Sequence, residues 1–93
     1  MDSISAITTD LLDRYQVLLH ERLVSRRASE DYTYWVRRFL AERAALDNHP
    51  TAQEVTSFYK QLKAETTSAS SLRRAEVALD LFSQELLGQE QVA

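Results

Sequence analysis

One glycine and one proline in 93 residues narrow what this chain can fold into more than any other feature. Strand-rich folds need turn glycines at frequent intervals, and phosphate-cradling loops need clusters of them. Gly88 lies near the C-terminal end and Pro50 near the middle, so long stretches run uninterrupted. The chain is therefore expected to be all-α. Its length suits one domain, whose usual size is roughly 100–150 residues. With 44% hydrophobic and 27% charged residues, the composition sits near the globular average and excludes a disordered chain. No apolar run approaches the ~20 residues a spanning helix needs, so no membrane partner is expected. The absence of cysteine excludes disulfide scaffolds, thiolate metal sites and cysteine nucleophiles. The first ten residues lack the basic start and apolar middle of a secretory signal, which makes a cytoplasmic location the expectation.

Apolar residues recur at helical spacing in four segments. Leu12, Tyr15, Leu19 and Leu23 line the first, widened by Leu11 and Leu18, with Thr8, Thr9 and Asp10 as candidate N-caps. The second carries Tyr32, Trp35, Val36, Phe39 and Leu40; Ser25 or Ser29 caps it, and it stops near Asp47–Pro50, because a residue before proline is pushed out of the helical region. Thr51-Ala52-Gln53-Glu54 fits a reciprocal capping box that opens the third helix, followed by Val55, Phe58, Tyr59 and Leu62. A polar run over residues 65–70 reads as a loop, after which Ser70 or Ser71 caps a helix lined by Leu72, Ala75, Leu79, Phe82 and Leu86, with Gly88 at its C-terminal cap. Four short helices are not stable alone and must share a core. The expectation is a compact four-helix bundle anchored by Trp35, over residues 10–88, with residues 1–9 as a flexible lead-in and 89–93 as a frayed tail.

Catalytic chemistry finds little support. His20 and His49 stand in different segments without a metal-binding spacing, no carboxylate sits inside an apolar stripe, and neither a nucleophile elbow nor a Walker loop occurs. No catalytic residue, metal or cofactor is expected. The aromatic residues fall at core spacing, except Tyr34, which lies off the stripe. The net charge of −3 is unevenly spread: residues 22–43 hold six arginines against three acids, while the segments on either side are acidic. Arg26 and Arg27 open the second helix beside Ser25 and Ser29, and Arg73 and Arg74 open the fourth beside Ser68, Ser70 and Ser71. A helix N-terminus offers unsatisfied amides and a partial positive charge, and arginine adds bidentate capacity for phosphate. Two such helix starts on one small bundle suit a DNA backbone; the alternative is that the serines only cap and the arginines are only solvated. Arg37 and Arg38 read as a solvated face, and the acidic balance leaves a helical protein–protein adaptor as the alternative.

The order of residues is also familiar. Ser25-Arg26-Arg27-Ala28-Ser29-Glu30-Asp31-Tyr32, followed by Trp35-Val36-Arg37-Arg38-Phe39, resembles the second-helix signature of the N-terminal core-binding domain of tyrosine recombinases, nearest to integron-type integrases. The likeness continues through His49-Pro50, Glu54-Val55, Phe58, and Ser68-Ala69-Ser70-Ser71 leading to Ala75. Ala28 stands where the family has threonine. The resemblance implies a SAM-like orthogonal bundle that forms half of a clamp on double-stranded DNA during integration or recombination. It also implies a catalytic domain in the same longer chain and other recombinase protomers as partners. On matching positions the DNA contacts are Ser25, Arg26 and Arg27 at one helix start, and Ser70, Ser71, Arg73 and Arg74 at the other.

Overall fold

Burial of one aromatic residue from each of four helices organises the structure. The computed structural model describes residues 6–43, 49–65 and 68–87. Among them are α1 (Ala6–Glu21), α2 (Arg26–Glu42), α3 (Ala52–Glu65) and α4 (Ala69–Phe82), the last running on into a π-helical turn at Ser83–Leu87. No described residue is in a strand. None of these helices is long and apolar enough to cross a membrane. The molecule extends 35 × 32 × 31 Å, so no direction dominates.

Tyr15 of α1 meets Phe82 of α4 edge-on at 5.7 Å between ring centres. Phe82 in turn meets Phe39 of α2 at 6.1 Å, and Phe39 meets Phe58 of α3 at 5.5 Å. Edge-to-face pairs set the positive rim of one ring against the negative face of the next, and each contributes about 0.5–1.5 kcal/mol beyond the area it buries. Tyr15 is fully buried, and its hydroxyl donates to the Ala78 carbonyl at 2.9 Å. Alanine at 78 leaves that carbonyl open on the helix surface, and its second lone pair accepts the phenol. Trp35, expected as the anchor, is part of this buried core and its most exposed member, at 9%. Its ring is flanked by Tyr34 at 5.0 Å and by the Arg38 guanidinium at 5.6 Å. An indole with a polar N–H suits such a margin better than the dry centre.

Helix boundaries differ from the sequence reading at four places. First, α1 begins at Ala6, so Thr8, Thr9 and Asp10 lie inside it rather than capping it. Ile7 packs against the core one turn before buried Leu11, and Asp10 pairs with Arg14 at 3.4 Å, both of which favour an earlier start. Second, Leu23 does not face the core. It has φ +57° and is 90% exposed. The amide of Val24 reaches the Leu19 carbonyl and that of Leu23 reaches His20 (both 3.1 Å), the bond pair of a Schellman cap. Leu23 holds the position that glycine usually takes, while Val24 packs back on the core as that cap requires.

Third, α2 ends at Glu42, with Arg43 as its C-cap, short of the expected Asp47–Pro50. Arg43 turns toward α3 and donates through Nε and Nη2 to Glu54 Oε2 at 3.3 and 3.2 Å. The other Glu54 oxygen accepts from the Thr51 amide at 2.7 Å while Thr51 Oγ1 accepts from the Glu54 amide at 3.2 Å, so the expected capping box is present and doubles as an anchor for α2. Fourth, α4 begins at Ala69 with Ser68 as its cap, two or three residues earlier than Ser70 or Ser71 would allow. Beyond Phe82 the π-helical winding leaves Leu86 and Leu87 both buried, in contact with α1 and α3. Asp47, Asn48, Gly88 and the segments 1–5 and 89–93 lie outside the described residues.

Two stability predictions follow from this packing. Burial, reinforced by nearby Tyr32, pushes the Tyr15 phenol well above its ordinary value of 10. The folded state then holds this proton more tightly than the unfolded chain, so its contribution is complete below about pH 10 and is lost as pH rises further. Tyr15→Phe is expected to lose about 1 kcal/mol at neutral pH, and to show a shallower loss of stability than wild type in urea titrations above pH 10. At the strained cap, Leu23→Gly is expected to gain roughly 0.5–1 kcal/mol, because relief of the left-handed backbone outweighs the added chain entropy; a lower melting temperature for that variant would contradict the assignment of strain.

Candidate nucleic-acid interface

The seven expected DNA-contact residues divide between two helix starts that the packing of α2 against α4 brings side by side. Ser25 caps α2 from an extended backbone, and its Oγ accepts from the Ala28 amide at 3.2 Å. That use consumes a lone pair and leaves the hydroxyl proton able to donate outward. Arg26, the first residue of α2, is almost wholly exposed and stands 3.8 Å from Glu30 one turn on. At α4 the cap is Ser68, whose Oγ accepts from the Ser71 amide at 3.3 Å. Ser70 is exposed in the first turn and shares a 3.2 Å hydrogen bond with Ser68 Oγ. Neither Ser70 nor Ser71 caps, because Ser68 already holds the extended geometry that a cap needs.

Arg27 and Arg74 come together. They line one open groove of about 700 Å³ between α2 and α4, together with Glu30, Asp31 and Tyr34. Arg74 stands 3.6 Å from Asp31 across the groove. Arg27 and Arg73 make no ion pair with any described residue. Ser25, Arg26, Ser70, Ser71 and Arg73 do not line this groove, and Arg26 instead borders a hollow of about 300 Å³ on the α1 side of α2, with Gln16, Leu19, Ser29, Glu30, Thr33 and Arg37. The expected pairing of two cationic helix starts is thus a single groove flanked by outlying groups.

Of the groove's members, Glu30 and Asp31 were missed from sequence, while Tyr34 stands exposed off the core stripe as expected. Asp31 and Tyr34 follow Arg27 by four and seven residues, a spacing that puts all three on one face of α2. The expected solvated pair divides. Arg37 is exposed beside the smaller hollow, whereas Arg38 is half-buried over Trp35, where its charge meets the negative ring face. The ion pairs at the groove are largely exposed, and pairs of that kind contribute about 0–1 kcal/mol, so a stronger anion can displace the carboxylates cheaply.

Among the described residues no group of three or more acidic or histidine side chains is placed to hold a metal ion. The described residues form a small all-α fold with a groove of mixed charge between α2 and α4. Comparison with protein families, curated proteins and solved structures gives no match to this chain. The cap assignment is open to direct test: Ser68→Ala is expected to cost about 1 kcal/mol, whereas Ser70→Ala should change stability by no more than about 0.5 kcal/mol, as an exposed substitution does. Equal costs in denaturant titrations would mean that Ser68 is not the operative cap.

Proposed function

We propose that this chain is the core-binding domain of a tyrosine recombinase or integrase, a SAM-like orthogonal bundle that grips duplex DNA as one half of a clamp. The observation that carries this reading is the shared groove of Arg27, in the first turn of α2, and Arg74, in the second turn of α4. Two adjoining helix N-termini supply amides and partial positive charge, and their arginines add bidentate donors, a combination suited to a phosphate backbone. The likeness of residues 25–39 and 68–75 to the recombinase signature supports the same reading.

In this scheme Arg26, Arg27, Arg73 and Arg74 face the DNA, Arg27 and Arg74 from within the groove and Arg26 and Arg73 from outside it. Ser25, Ser70 and Ser71 add neutral hydrogen bonds that fix register. Breaking and rejoining of DNA belongs to a catalytic domain elsewhere in a longer chain, and none of Tyr15, Tyr32, Tyr34 and Tyr59 is its nucleophile. Further recombinase protomers on the same DNA, in the cytoplasm, complete the assembly. The net charge of −3 limits the grip of the isolated domain, so its binding is weak and strongly salt-dependent.

Fluorescence anisotropy with a labelled duplex, measured across a salt series, tests this. Each neutralised phosphate contributes about 0.9 to the slope of log affinity against log salt. The combined variant Arg26→Ala, Arg27→Ala, Arg73→Ala, Arg74→Ala is expected to bind more weakly and to flatten that slope by about one unit per lost contact. An unchanged slope removes these residues from the interface. A wild-type chain that retains no duplex even at low salt would leave the acidic helical adaptor as the better account.

A further inference from the structure

The groove between α2 and α4 holds as many carboxylates as arginines, too many for a site that meets only phosphate. Glu30 and Asp31 line it alongside Arg27, Tyr34 and Arg74, and Asp31 stands 3.6 Å from Arg74. A carboxylate next to a phosphate is repulsive, and a surface meant only to follow a DNA backbone gains nothing from one. Base edges are different, because the major groove presents donors as well as acceptors. Guanine offers O6 and N7 to an arginine, and its partner cytosine offers the N4 amino group to a carboxylate. An arginine beside an aspartate is therefore the complement of a G·C pair.

Placement agrees with this chemistry. Arg27, Asp31 and Tyr34 stand on one face of α2 within its first three turns, and a helix seated in the major groove touches bases with residues near its start. Both members of the Asp31–Arg74 pair are about half exposed, so a base edge can reach them. Arg26 and Arg73 lie outside the groove and are left for phosphates. Building on the DNA-binding reading above, we propose that Arg74 and Asp31 form a base-reading pair for G·C in the major groove. Arg74 donates to guanine O6 and N7, and Asp31 accepts from cytosine N4. Arg27 donates alongside them, and Asp31 makes the site selective rather than merely adhesive.

Selection from a pool of randomised DNA duplexes at low salt, followed by sequencing, tests the proposal with the full 93-residue chain. Wild type is expected to enrich G·C over A·T at one position by at least about fivefold, the lower end of what one specific base contact discriminates. Asp31→Asn is expected to lose that enrichment or turn it toward adenine, whose N6 and N7 suit an amide. Arg74→Lys should also lose it while keeping most of the affinity, since a lysine retains the charge without the planar fork. Arg74 is exposed and Asp31 half-buried, and unchanged melting temperatures would exclude unfolding as the cause. Binding without any enrichment overturns the proposal. So does an Asp31→Asn variant that binds every sequence more tightly with the preference intact, because Asp31 would then only oppose phosphate. Either result leaves the DNA-binding reading in place. Failure of the wild-type chain to bind any duplex overturns both.

Discussion

The buried phenol of Tyr15 is the constraint on which the arrangement of helices depends. Its ring starts an edge-to-face series through Phe82, Phe39 and Phe58, so that each helix contributes one aromatic side chain to a common interior. Its hydroxyl must find an acceptor, since an unpaired polar group in that interior costs about 1–3 kcal/mol. The Ala78 carbonyl provides the acceptor, which fixes α1 against one turn of α4 and sets the register between them. Apolar burial alone would allow neighbouring registers of similar energy. The directional bond selects one of them.

The connections between helices reinforce that choice by local chemistry. The α1–α2 junction is a Schellman cap that tolerates Leu23 in a left-handed conformation because Val24 gains burial in return. Glu54 serves two helices at once, closing the capping box of α3 with one oxygen and holding Arg43 at the end of α2 with the other. Arg43 is itself largely buried, so this charged pair lies in a setting where its geometry is held by surrounding structure. With the α1–α2 angle set at one junction and α3 tied to α2 at the other, α4 packs against both α2 and α3.

Function, on the reading advanced above, grows from the same packing. Because α2 and α4 lie side by side, Arg27 from the first turn of α2 and Arg74 from the second turn of α4 share a groove. The mixed charge of that groove matters as much as its arginines. Glu30 and Asp31 lower the net potential, which weakens indiscriminate attraction to polyanions and makes the placement of individual donors and acceptors count for more. A chain with an acidic total can still present such a surface, since charges on the far side are screened over a Debye length of about 8–10 Å.

Much of the secondary structure was legible in the residues themselves. Helical spacing of apolar positions, the scarcity of glycine and proline, the Thr51–Glu54 box and the Ser25 cap are short-range signals, and each is encoded within one or two turns. The arginines at the two helix starts were visible for the same reason. What the sequence could not determine depended on partners distant along the chain. The placing of Tyr15 and Phe82 at the centre of a core that Trp35 also joins, the exposure of Leu23, and the seating of Arg38 on Trp35 rest on which faces meet after folding. The joining of Arg27 with Arg74 around Asp31 is of the same kind. Sequence settled the local hydrogen-bonding preferences because those close within a few residues. Tertiary structure decided the core and the groove, because both are made by groups that only packing brings into contact.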